Sequence, residues 1–211
     1  MSSPSTNSVA AALAVALLLA GCAGSVEPGT PWPGSALADY EAAVADVDAG
    51  RVTEAEGIFE ALAEAYPAST GPHRQLARLA LQRGDAEAAV RHLEAARLVC
   101  ADCAAVLTEL GLAERVRGAF ERAREAYEAA LAENPDFAPA HFDLAVLHEL
   151  YLGRPGDAIH HYERYLELAG ETPEQRRIEA WIARLEREAE AQEAARLAAG
   201  DMPPTLAGTA P

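Results

Sequence analysis

The 211-residue chain is long enough for one ordinary domain, or for a short array of repeats whose contacts run only between neighbours. Half of it is apolar, and it carries 33 acidic residues against 17 basic ones, all of them arginine, for a formal charge of −16. That balance offers no surface for a phosphate backbone, which excludes nucleic acid as a partner, and it favours a soluble, unassociated fold.

The chain opens with MSSPSTNS and an apolar run from Val9 to Ala20 of 12 residues. A membrane-spanning helix needs about 20, so the run suits the core of a secretory signal instead. It ends in Leu19-Ala20-Gly21-Cys22. These residues resemble the cleavage box of bacterial lipoproteins, a resemblance that makes residues 1–21 a signal peptide and Cys22 the lipidated N-terminus of the mature chain. No Lys or Arg precedes the run, as the family usually has, so an ordinary signal cut after Gly24 is the alternative. Ala23 stands where Asp would mark the inner membrane, so the same resemblance implies the periplasmic face of the outer membrane. Residues 22–35 come next, as a tether. Its stretch AGSVEPGTPWPGS favours extended backbone and reaches up to about 40 Å at roughly 3 Å per residue. Trp32 is free there to dip into a membrane interface or to dock on the first helices beyond the tether.

From residue 36 a fixed offset governs the pattern. Gly50, Gly84 and Gly118 are 34 apart, as are Ala55, Ala89 and Ala123, and again Phe59, Leu93 and Tyr127. Each copy reads as two short amphipathic helices around a Gly turn, and such a hairpin buries its apolar stripe only against a neighbouring copy. The clearest copy is Ala104 to Pro135. In it Leu107, Leu110, Gly111 and Ala113 share the first helix, while Ala123, Tyr127, Ala130 and Leu131 share the second. Four units result, at 36–69, 70–103, 104–137 and 138–171. The fourth gains one residue in its turn (Leu152 to Gly156) before Ala158, Tyr162 and Tyr165 resume the spacing. Thr172 is placed as an N-cap ahead of Pro173 and Glu174. It opens a helix over 172–199 with Ile178, Trp181, Ile182 and Leu185 on one stripe, fit to cap the array. Residues 200–211, with Pro203 and Pro204, read as a disordered end.

This pattern resembles the tetratricopeptide repeat family, whose period is 34 and whose motif runs Leu-Gly in the first helix, then Ala and an aromatic in the second, then Pro. The resemblance implies an all-α solenoid. It departs from the family at the fourth place of the first helix, which holds Asp39, His73, Leu107 and His141, and only the third unit has a full Leu-Gly pair. The resemblance also implies a concave groove lined by first helices, placing Tyr40, Val44, Arg74, Arg78, Leu81, Leu112, Arg115, Phe142, Val146 and Glu149 on it. Arg74, Arg78 and Arg115 in an otherwise acidic chain suit a carboxylate or an acidic peptide. The likeness to the carboxylate clamp of chaperone-tail binders is loose, because Glu109 stands where that clamp has Asn. Small lipoproteins of this kind assist pilus assembly, outer-membrane protein assembly, peptidoglycan enzymes or energy-transducing complexes, so the implied partners are other envelope proteins or peptides.

Candidates for chemistry are few. Cys100 and Cys103 lie between the second and third units, and in an exported chain they are expected to form a disulfide. The rival function is a periplasmic thiol-disulfide or metal-handling protein built on this pair. A redox centre, however, places its first Cys at a helix N-terminus, and zinc needs two further ligands. His141 and His148 share a face but lie about 10.5 Å apart along the axis, too far for one ion. The six histidines therefore read as packing or surface residues. No Ser-His-Asp order, phosphate loop or dinucleotide turn occurs, so neither an enzyme nor a cofactor is expected.

Overall fold

The computed structural model describes residues 32–170 and 173–198. Cys22, the signal, most of the tether, the predicted cap Thr172 and the tail lie outside the described residues.

Four hairpins succeed one another: α1 (Gly34–Asp48) with α2 (Val52–Ala65), α3 (Thr70–Gln82) with α4 (Ala86–Val99), α5 (Ala104–Val116) with α6 (Phe120–Glu133), and α7 (Ala138–Leu147) with α8 (Pro155–Ala169). A ninth helix, α9 (Gln175–Ala198), closes the array. Each second helix packs on the next first helix. No helix among the described residues is long and apolar enough to cross a membrane.

A small residue of each first helix meets a large residue of its partner. Ala43, Ala77, Gly111 and Ala145 are spaced by 34, and they share clusters or contacts with Phe59, Leu93, Tyr127 and Tyr162 respectively. All four large side chains are at most 1% exposed. Full burial of such groups stabilises by about 1.5–3 kcal/mol each, so this pairing carries much of the fold. Ala55, Ala89, Ala123 and Ala158, all 0% exposed, let the two helices of each hairpin approach.

Gly50, Gly84 and Gly118 adopt φ of 79°, 78° and 84°, the left-handed region where a side chain is strained. Each ends its helix in a Schellman motif. The N–H after the glycine donates to a carbonyl five residues back, as in Arg51 to Asp46, Asp85 to Ala80 and Ala119 to Glu114. The fourth turn differs. His148–Leu152 forms a π-type turn, and Arg154 donates to His148, six residues back. A π turn is how a helix takes up one extra residue, so the insertion is absorbed without moving Ala158 or Tyr162 out of the core.

Trp32 docks on the first unit, edge-on to Tyr40 at 5.0 Å and stacked on Tyr66 at 5.9 Å between ring centroids. The tether thus ends on the solenoid, and α1 starts at Gly34, two residues earlier than the pattern places it.

Cys100 and Cys103 are disulfide-bonded, joining the C-terminal end of α4 to the N-terminal end of α5. So short a loop constrains little chain entropy. A Cys100→Ser/Cys103→Ser variant is expected to stay folded and to lose about 2 kcal/mol or less. Urea denaturation of the two proteins checks this, and a loss well above that figure would mean that the bond also shapes the packing of α4 on α5.

Candidate protein-binding groove

On the face formed by the first helices, Tyr40, Arg74, Arg78, Leu81 and Leu112 surround one pocket of about 280 Å³, together with Gln75, Ala77, Leu93 and Glu109. Five of the predicted groove residues are therefore brought together. Their period explains it, because positions one repeat apart on successive first helices fall side by side.

The pocket's polar groups are bonded across the helices in a regular step. Gln75 Nε2 donates to the Tyr40 hydroxyl at 2.9 Å, linking α3 to α1. Arg74 donates from Nε and Nη2 to the two carboxylate oxygens of Glu109, at 2.8 and 2.5 Å, linking α3 to α5. Both links span 35 residues, one repeat plus one. The Arg74 expectation is corrected here: Glu109 occupies its donor fork, so it is not free for an incoming carboxylate. The pair is only about two-thirds shielded, so its net worth is of the order of 1 kcal/mol or less. Arg78 is different. It is exposed beside Leu81, and among the described residues no carboxylate lies within ion-pair distance of it.

The other predicted groove residues do not join this pocket. Arg115 turns toward Asp143 at 3.5 Å, with its guanidinium 5.9 Å from the centre of the Tyr151 ring. Burial pushes the Asp143 carboxyl above its usual range, and the Arg115 charge pulls it part of the way back. Arg115 therefore stabilises a carboxylate of its own chain. Val44 packs into the core of the first hairpin beside Phe59. Phe142 and Val146 pack against the cluster that Ile178, Ile182 and Leu185 of α9 form with Ala145, Ala158 and Tyr162. Glu149 accepts from the Tyr162 hydroxyl at 2.7 Å and pairs with Arg184.

The reason is the place α9 takes. Glu149 and Arg184 are again 35 apart, the step that links Tyr40 to Gln75 and Arg74 to Glu109. Ile178 extends the buried series Leu76, Leu110 and Leu144 by a further 34. The capping helix thus stands where the first helix of another unit would stand. It consumes the fourth-unit groove positions Phe142, Val146 and Glu149, leaving the pocket between α1 and α5 and a second hollow between α5 and α7 open.

The partners Gln75, Glu109 and Asp143 are not among the positions the repeat pattern assigns to the groove. For Gln75 and Glu109 the signal is the 35-residue step, which pairs each with a polar residue on the preceding first helix, Tyr40 and Arg74, whereas Asp143 lies 28 residues after Arg115 and falls outside that step. The cysteine pair does not resemble a redox centre, since Cys100 lies just past the end of α4 and no strand lies among the described residues. Nor do three His, Cys, Asp or Glu side chains among those residues form a metal-holding group.

Residues 74–139 and 117–182 match models described as tetratricopeptide repeat. No curated protein matches the chain. Among solved structures, the chain superposes on the MamA protein with a TM-score of 0.63 at 18% identity, over 76% of this chain and 85% of that one. On Pseudomonas aeruginosa pilF the TM-score is 0.64 at 19% identity, covering 77% and 72%. A chain of the APC/C hetero-tetramer Cut9-Hcn1 gives 0.60 at 19% identity, over 71% of this chain and 29% of that one. The matched repeats run from α3 into α9 and include α3, α4 and α5 of the pocket, and the chain belongs to the tetratricopeptide repeat family.

Proposed function

We propose that this protein is a non-enzymatic scaffold, anchored by lipid on Cys22 to the periplasmic face of the outer membrane, which recruits or holds other envelope proteins through its groove. The observation that carries this reading is the open pocket between α1 and α5. An apolar wall of Leu81, Leu112 and Tyr40 stands beside Arg78, a cation that no carboxylate among the described residues pairs, in a chain of charge −16. Such a site suits an extended segment that seats an apolar side chain and offers a carboxylate to Arg78. The sequence supports the anchor through Leu19-Ala20-Gly21-Cys22 behind a short apolar run, and the Cys100–Cys103 disulfide fits an oxidising compartment.

The anchor is tested apart from the groove. Cys22→Ser is expected to abolish lipid labelling and to release the protein from the membrane fraction into the periplasmic extract. A Ser variant that stays with the membrane, beside wild-type protein that carries no lipid mass, sinks the anchoring half of the reading.

A further inference from the structure

The six histidines meet in two groups, and each group holds a copy of the same pair. His73 of α3 faces His92 of α4, ring centroids 5.8 Å apart and tilted by 36°. His141 of α7 faces His161 of α8 at 5.2 Å and 40°. His141 lies 68 residues after His73, and His161 lies 69 after His92, the difference being the residue absorbed in the π turn. The second and fourth units therefore carry an imidazole pair at the same two repeat positions. In the third unit Leu107 and Ala126 hold those positions, so the fold does not require histidine there.

The bonding in the fourth unit fixes the protons. His141 Nε2 lies 2.9 Å from the Pro135 carbonyl oxygen, so that nitrogen carries a hydrogen and donates it. Neutral His141 then has its lone pair on Nδ1, and His161 Nδ1, at 3.0 Å, must donate to it. One proton occupies that gap, and a second cannot enter without breaking the bond. The His148 ring lies parallel to His161 at 5.7 Å, and His160 meets it edge-on at 5.2 Å, so a first added charge on His161 sits among three other imidazoles.

We propose that these pairs are acid-operated latches, which hold first and second helices together when neutral and open the second and fourth units, but not the third, on acidification.

The surrounding charges do not cancel this. Around the fourth-unit latch, α8 supplies Asp157, 3.8 Å from His148 Nδ1, Arg154 precedes that helix, and α6 supplies Glu128 and Arg124. Around the second-unit latch, Glu56 and Glu60 of α2 face His92, with Arg91 on its own helix, and His73 Nδ1 is buried without a hydrogen-bond partner among the described residues. Burial lowers His73, His92, His148 and His161, the last to about 4. A lowered histidine favours the fold while neutral. Its contribution is complete above the unfolded value of about 6.5 and is lost as pH falls from there toward the folded value. Arg74 and Phe142 come directly after His73 and His141 in the chain, so opening disturbs the first helices that carry the groove and its capped end.

Hydrogen exchange of the full chain at pH 7.5 and 5.0, corrected for the chemical rate, tests the proposal. With His161 at about 4 in the fold and 6.5 when opened, the open population of α7 and α8 should rise about thirtyfold at pH 5.0. Peptides from α3 and α4 should also exchange faster, and those from α5 and α6 should not. The variant His141→Leu/His161→Ala, which copies the third unit, should lose the acid response in α7 and α8 only. Equal acceleration in all three units, or an unchanged response in the variant, overturns the proposal. If that variant does not fold, the imidazole resonances of the wild type decide. A His161 midpoint near 4 supports the latch and one near 6.5 refutes it.

Discussion

Replacing Tyr127 with alanine is expected to cost about 3–5 kcal/mol, a large part of what holds a domain of this size together. The ring is fully buried among Ala123, Leu144 and Leu147, so it joins the third unit to the fourth. It also lies against the backbone of α5. A Cβ added at Gly111 would stand 2.5 Å from Tyr127 Cε1, 2.7 Å from Cδ1 and 2.9 Å from Cζ. Since the ring has no room to retreat, Gly111→Ala should destabilise by about 1–3 kcal/mol despite the roughly 1 kcal/mol that alanine gains in a helix. The second unit solves the same contact with Ala77 and Leu93. The double variant Gly111→Ala/Tyr127→Leu copies it, and should be more stable than the sum of its single changes predicts. Urea denaturation of Gly111→Ala, Tyr127→Leu and the double variant measures this coupling, and strict additivity would show that Gly111 and Tyr127 do not constrain each other.

Arg78→Glu is expected to weaken partner capture by about thirtyfold or more while leaving helicity and melting nearly unchanged. An arginine that loses its water on binding a carboxylate contributes about 2 kcal/mol or more, whereas one that stays solvated contributes about 1 or less. Arg115→Ala should behave oppositely. It leaves the Asp143 carboxylate half-buried without its counter-charge, so its main effect is on stability. Arg176→Ala/Arg187→Ala on α9 should change neither. Binding curves with the captured partner beside thermal melts separate these cases. Equal loss of binding from Arg78 and from the α9 pair would move the contact away from the pocket.

The repeat is legible in sequence because its physical causes recur at one spacing. A turn needs a left-handed residue every 34 positions at Gly50, Gly84 and Gly118, and a large side chain needs a small partner, as Phe59, Leu93 and Tyr127 have. The groove is legible only in part. Which first-helix residues face inward can be read from the period, but whether they are free depends on pairs formed between units. Arg74 is neutralised by Glu109, 35 residues on, and Glu149 by Arg184, and neither partner stands out until the helices are stacked. Phe142 and Val146 are lost to the groove because α9 takes the next first-helix place, which its apolar stripe suggests without saying where it docks. The histidine pairs are hidden for the same reason, since His141 finds its neighbour on α8 and not along its own helix.

The central claim, that the face between α1 and α5 receives a protein segment, is tested most directly by crosslinking in cells from single positions. A photo-crosslinking residue at Leu81 or Leu112 should yield one specific adduct, and the same residue at the exposed Leu98 of α4 should yield none. The adduct from Leu81 should disappear when Arg78→Glu is added. An adduct of equal yield from Leu98, or one from Leu81 that survives Arg78→Glu, would contradict the account.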